Sequence, residues 1–139
     1  MIRFAHISDL HLSPIPKPTI MELLSKRLTG YINWKRNREN NYCNNIANAA
    51  ILHLKQHNCQ HLIISGDIVN IATNAEFLQA KQWLEKVDKT ENISIVPGNH
   101  DAYIRGSLTK FSSIFSPWLK SDSDITQNTI YPYIIKEVI

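Results

Sequence analysis

The sequence is short of several things, and each shortage closes off a class of protein. It has two cysteines, Cys43 and Cys59, and no CxxC pair. Two such thiols read as reduced, not as a disulfide framework or a zinc knuckle. No apolar run approaches the roughly 18 residues of a membrane-spanning helix, so no transmembrane segment is predicted. The N-terminus, MIRFAHISDLHL, interrupts its apolar residues with Asp9 and two histidines and offers no small-residue cleavage site. That reads against a signal peptide, and a cytoplasmic location is the expectation. There is no GxSxG elbow, no GxxxxGK[ST] loop and no cysteine-nucleophile motif, which removes the common covalent and P-loop chemistries. A strong charge excess is missing as well. Lys+Arg 15 against Asp+Glu 12 leaves a net charge of +3, enough to favour an anionic ligand but far from a nucleic-acid-binding profile.

What is present is ordinary globular composition, with 43% apolar and 19% charged residues over 139 positions. That length suits one domain with one real core. Three short runs rich in β-branched residues, IRFAHIS (2–8), HLIIS (61–65) and ISIV (93–96), predict strands. They are nearly continuous in apolar character, a pattern that predicts burial on both faces of a parallel sheet. Between them lie helical signals. Thr19-x-x-Glu22 is a capping box followed by Leu23, Leu24 and Leu28, with Gly30 placed as a C-terminal stop. From about Asn44 to Gln56, Ile46, Ala50, Ile51 and Leu54 recur at helical spacing, and Thr73-x-x-Glu76 opens a helix carrying Phe77, Ala80, Leu84 and Val87. Phe111, Ile114, Phe115 and Trp118 predict a short amphipathic helix, SDSDITQNT (121–129) a polar loop, and IYPYIIKEV a fourth strand. The strand–helix alternation predicts an α/β fold with βαβ crossovers.

Each strand run ends in the same kind of polar sequence. The first leads into Ser8-Asp9-Leu10-His11, the second into Gly66-Asp67-Ile68-Val69-Asn70, the third into Gly98-Asn99-His100-Asp101. A parallel sheet puts these three ends on one edge, where open α/β sheets bind ligands. Carboxylate, imidazole and amide oxygen gathered there form a donor set suited to Mn, Fe or Zn. Any one of the three motifs alone is ordinary turn chemistry. Three on one edge are not.

HISDLHL, SGDIVN and VPGNHD, in that order, resemble the calcineurin-like metallophosphoesterase family, and ISDLHL is most similar to its bacterial phosphodiesterase branch. The resemblance implies a β-sandwich flanked by helices, of which residues 1–139 carry the N-terminal βαβαβ portion. It implies a site for two divalent metal ions (Mn, Fe or Zn) acting on a phosphate-ester substrate. Carried over, Asp9 and His11 hold the first metal, Asp67 bridges both, and Asn99 binds the second. His100 serves the transition state as acid, and Asp101 orients its imidazole. The family pattern continues with a Gly-His and a Gly-His-x-His that have no counterpart here: all six histidines lie at or before His100. The expectation is therefore a phosphoesterase completed by a C-terminal half, with little activity alone. The competing expectation is a truncated or split-gene remnant.

Other residues read more plainly. His53, His57 and His61 are expected as solvated surface, not a compensating site, and His6 as a hydrogen-bonded core residue. The stretch 26–38 sets Lys26, Arg27, Lys35, Arg36 and Arg38 among Tyr31, Ile32 and Trp34. A solvated face anchored by its aromatics is the expectation there, against a lid over an anionic substrate or a contact with nucleic acid or a membrane surface.

Overall fold

The computed structural model describes residues 2–39 and 44–121. Three parallel strands, β1 (Phe4–Ser8), β2 (His61–Ser65) and β3 (Ile93–Val96), form one sheet in the order β1-β2-β3. The last two match the predicted runs, and β1 starts two residues later than predicted. The helices are α1 (Ile20–Leu23), α2 (Arg27–Asn37), α3 (Asn44–Gln56), α4 (Asn74–Val87) and α5 (Ser107–Ile114), with a 3-10 turn at Ser116–Leu119. The predicted loop at 121–129, beyond Ser121, and the predicted fourth strand lie outside the described residues.

Register decides where the site falls. Ser8 pairs with Ser65, and Ser65 with Val96, so all three strands stop on the same row. The chain leaves each of them at one level of one edge.

The core lies on one face of the sheet. Leu62, Ile64, Ile93 and Ile95 point into it and meet Ile51 of α3, Phe77, Ala80, Leu84 and Val87 of α4, and Phe111, Phe115 and Trp118 beyond them. Full burial of a Phe, Leu or Val side chain is worth roughly 1.5–3 kcal/mol, so α4 is bound chiefly by this stripe. Phe111 and Phe115 tilt together at 4.6 Å between ring centroids, and both meet Phe77 near 6 Å. The Trp83 indole N–H donates to Asn48 Oδ1 at 2.8 Å, tying α4 to α3.

Four expectations need correction. The strands alternate in burial instead of being buried on both faces: Phe4, His6 and Ser8 are exposed, and Ile63 and Ser94 half-buried. Near-continuous apolar sequence misled because β-branched residues also sit on the half-covered face. His6 belongs to that face, where its Nε2 lies 2.5 Å from Ser65 Oγ, so it is hydrogen-bonded but not core. The inward face of α3 is Ala47, Ile51 and Leu54, whereas Ile46 is 69% exposed. Gly30 does not stop a helix; it lies inside α2, where an added Cβ would strike the Tyr103 hydroxyl and Ile71. Its missing side chain serves close approach, a role that local sequence cannot distinguish from a stop signal.

Candidate metal centre

Three loops leave the aligned strand ends and continue to bond to each other. Asp9 N donates to Gly66 O at 3.2 Å, His11 N to Asp67 O at 2.9 Å and Leu12 N to Ile68 O at 2.9 Å, extending the β1–β2 ladder past the strands. Gly66 N donates to Val96 O at 2.8 Å. Gly66 and Gly98 are required by contact: a Cβ on Gly66 would sit 2.9 Å from Gly98 Cα, and one on Gly98 would collide with the Asp67 carboxylate. The backbone is strained where the predicted site residues sit. Asp9, His11 and Asp67 all have positive φ, at 54°, 41° and 51°. Such conformations in side-chain-bearing residues persist only where surrounding structure imposes them, and they cluster at functional sites.

Asp101 is the strut under these loops. Its fully buried carboxylate accepts backbone N–H bonds from Ile68 (3.1 Å), Val69 (3.1 Å) and Gly98 (2.8 Å), locking the second loop to the third. Burial pushes its carboxyl up to about 6, against the pull of those amides. The expected bond from Asp101 to the His100 imidazole is replaced by another. His100 Nδ1 lies 2.5 Å from the Asn70 carbonyl oxygen, which can only accept, so Nδ1 carries the proton and Nε2 is the nitrogen left for other partners. His100 N also donates to Asp67 Oδ1 at 2.8 Å. Asn70 is thus a site residue that motif reading missed. It acts through its backbone, and only its place at the end of the second motif hinted at it.

On this frame His11, Asp67 and His100 bring one ligand atom each to within 4.8 Å of one another. The His11 and His100 rings meet edge-on at 4.8 Å between centroids. Burial lowers the His11 pKa, helped by His100 and Arg38 and opposed by Asp67 and Asp9. A neutral imidazole is the form that binds a metal. Bonds of ~2.0–2.2 Å to N and O place neighbouring donors about 3–3.5 Å apart around one ion, so the side chains of the cluster would draw together by about 1.5 Å at the widest to hold a borderline divalent cation. Asp9 stands outside this threesome, exposed on the first loop, and Asn99 is exposed on the third. Away from this edge, the His53 and His57 rings touch at 4.2 Å on the exposed surface of α3 and its end, and His61 Nε2 lies 2.8 Å from Ser94 Oγ. Among the described residues these three form no metal-binding group.

A family model for calcineurin-like phosphoesterases matches residues 2–135. The chain belongs to the calcineurin-like phosphoesterase family. No curated protein and no solved structure matches it significantly. The mixed α/β architecture with its parallel sheet is consistent with that family's fold. Membership makes the chain a phosphoester hydrolase by class, and His11, Asp67 and His100 form a group that could hold a metal ion. Among the described residues no helix is long and apolar enough to cross a membrane.

Proposed function

We propose that the chain carries the front half of a two-metal phosphodiesterase site. Convergence of His11, Asp67 and His100 on the strained sheet edge, in a chain of this family, is the observation that supports it. In this reading Asp9, His11 and Asp67 would hold one ion, and Asp67 and Asn99 would serve a second. Mn, Fe and Zn all suit the donors. Divalent ions held there supply the Lewis acidity that makes water a nucleophile at neutral pH.

The chain's own residues do the rest. Asp101 and the paired glycines hold the loops so that no reorganisation is needed when substrate binds. The Asn70 carbonyl holds the Nδ1 proton of His100; in the imidazolium form Nε2 carries a second proton, which passes to the departing alkoxide and leaves the neutral Nδ1–H ring. No histidine follows His100, so further ligands of the second ion come, in this proposal, from a complementary C-terminal segment.

Metal analysis beside kinetics on bis(p-nitrophenyl) phosphate, with that segment supplied, tests the division of labour. Asp67→Asn lowers Mn²⁺ affinity and turnover together, by ~10–100-fold or more. His100→Asn keeps the metal and lowers kcat ~10²–10⁴-fold, more for poor leaving groups than for good ones. Loss of metal in His100→Asn makes His100 a ligand and ends the assignment of it as acid.

A further inference from the structure

The basic stretch 26–38 and the short helix before it have an inner and an outer face. Inward, Arg27 Nε donates to Ile71 O at 2.9 Å and its Nη2 to Ala72 O, Trp34 is buried, and Gly30 meets Tyr103. α1 is held as well, since Glu22 accepts from Asn74 N at the start of α4. Both elements are thus fixed to the domain before anything binds them.

The outer face carries side chains that gain nothing from water. Ile20, Met21 and Leu24 are 79%, 78% and 75% exposed, and Leu28 and Ile32 follow at 44% and 41%. Single exposed apolar residues are ordinary, but five of the eleven large ones among the described residues fall within positions 20–32. Ile20, Leu24, Leu28 and Ile32 recur at every fourth residue. At about 100° per residue, Leu28, Ile32, Lys35 and Arg36 lie within one stripe of α2 of about that width.

Positive charge gathers around them. Lys17, Lys35 and Arg36 are exposed. Residues 17–39 hold six basic side chains against two acidic ones, a surplus of four where the whole chain has +3. Together the two features select a partner. A second copy would set positive charge against positive charge, and nucleic acid would leave the aliphatic groups in water. Side chains that line a protein-binding groove are screened by its walls, whereas three of these stand about three-quarters clear. An anionic lipid surface uses both features: aliphatic groups enter the acyl boundary while Lys and Arg reach the headgroups.

We propose that the outer face of α1 and α2 docks the chain on an anionic membrane surface, with Ile20, Met21 and Leu24 inserted and Lys35 and Arg36 at the headgroups. The inner face of α2 packs on Tyr103, which stacks on His100 at 5.7 Å, so α2 lies between the docked surface and the candidate metal centre. The proposal does not depend on the phosphoesterase reading, and its test reads no activity.

Vesicle flotation at low salt checks it, on the chain alone and with the complementary C-terminal segment supplied. Vesicles of phosphatidylcholine and phosphatidylglycerol in equal parts should carry the chain at least about 10-fold better than phosphatidylcholine alone. Each basic residue at such a surface is worth about fivefold, so Lys35→Gln with Arg36→Gln lowers affinity about 25-fold. Met21→Ser with Leu24→Ser lowers it at least about 10-fold, with circular dichroism unchanged because both positions are exposed. In Leu24→Trp, emission shifts to the blue on anionic vesicles as the new indole leaves water. Failure of the wild type to float overturns the proposal, as does flotation that survives both double variants or leaves the Leu24→Trp emission unshifted. Tighter binding to duplex DNA, indifferent to Met21→Ser with Leu24→Ser, overturns it in favour of nucleic acid. Flotation lost once the C-terminal segment is supplied overturns it in favour of an interface within the completed domain.

Discussion

The same four-residue device, Thr-x-x-Glu, starts two helices of very different worth. At Thr19 both reciprocal bonds of the capping box form, yet α1 runs for four residues and buries none of them. At Thr73 the identical bonds open a 14-residue helix with five buried residues. The difference lies in what the glutamate finds. Glu22 is half-exposed and, beyond its own box, accepts among the described residues only from Asn74 N at 3.3 Å. Glu76 is 3% exposed and accepts from Asn70 N at 2.8 Å, Ile71 N at 3.3 Å, Thr73 N at 2.9 Å and Thr73 Oγ1 at 3.1 Å. A capping box marks where a helix begins. Burial behind it decides how long the helix runs and how much it is worth.

The comparison is sharpest at Glu76 itself. Glu76→Ala leaves at least three buried backbone N–H groups without an acceptor, each costing about 1–3 kcal/mol, so a loss of roughly 3 kcal/mol or more is expected in urea unfolding. Because the freed loop includes Asn70, whose carbonyl holds His100, turnover of the completed site should fall too. A loss under about 1 kcal/mol would break the contrast between the two boxes. Next comes the pair of caps: Thr73→Ala should cost about 1–2 kcal/mol and Thr19→Ala only a few tenths, compared by the same melts. Equal losses would mean that local capping, not burial, sets the value.

The smallest expected effect is a titration. Burial pushes the Glu22 carboxyl up, but bonds from Thr19 and Asn74 and the nearby Arg27 charge outweigh it and hold its pKa below 4.5. A carboxyl depressed in the folded state contributes stability above its unfolded pKa and loses it as pH falls through the folded value. The contact to Asn74 should therefore be intact at pH 6 and fade only as pH falls below the ordinary glutamate range. The Asn74 amide shift, followed by NMR against Glu22→Gln, reads it; a pH-independent shift would detach α1 from α4.

Elements with strong local signals were legible in sequence. The bounds of β2, β3, α3 and α4 follow from β-branched runs and 3.6-residue spacing, and the alignment of Asp9, Asp67 and His100 on one edge follows from parallel pairing. What stayed hidden depends on partners distant in sequence. Gly30 looked like a stop until Tyr103, 73 positions on, showed why no side chain fits. Asp101 looked like the orienter of its neighbour His100, yet its carboxylate turns away to amides 32 and 33 residues earlier. His100 is oriented by a backbone carbonyl, and every residue has one, so no motif can announce it.

The positive φ angles of Asp9, His11 and Asp67 carry an evolutionary consequence. A left-handed backbone costs a side-chain-bearing residue roughly 1–2 kcal/mol, against a net stability of about 5–15 kcal/mol for a whole domain. Glycine at any of the three would relieve that cost, so selection for stability alone pulls these positions toward glycine and away from ligand-bearing side chains. A lineage that no longer needed the chemistry would be expected to lose these residues early, before its core changed. This chain still has all three.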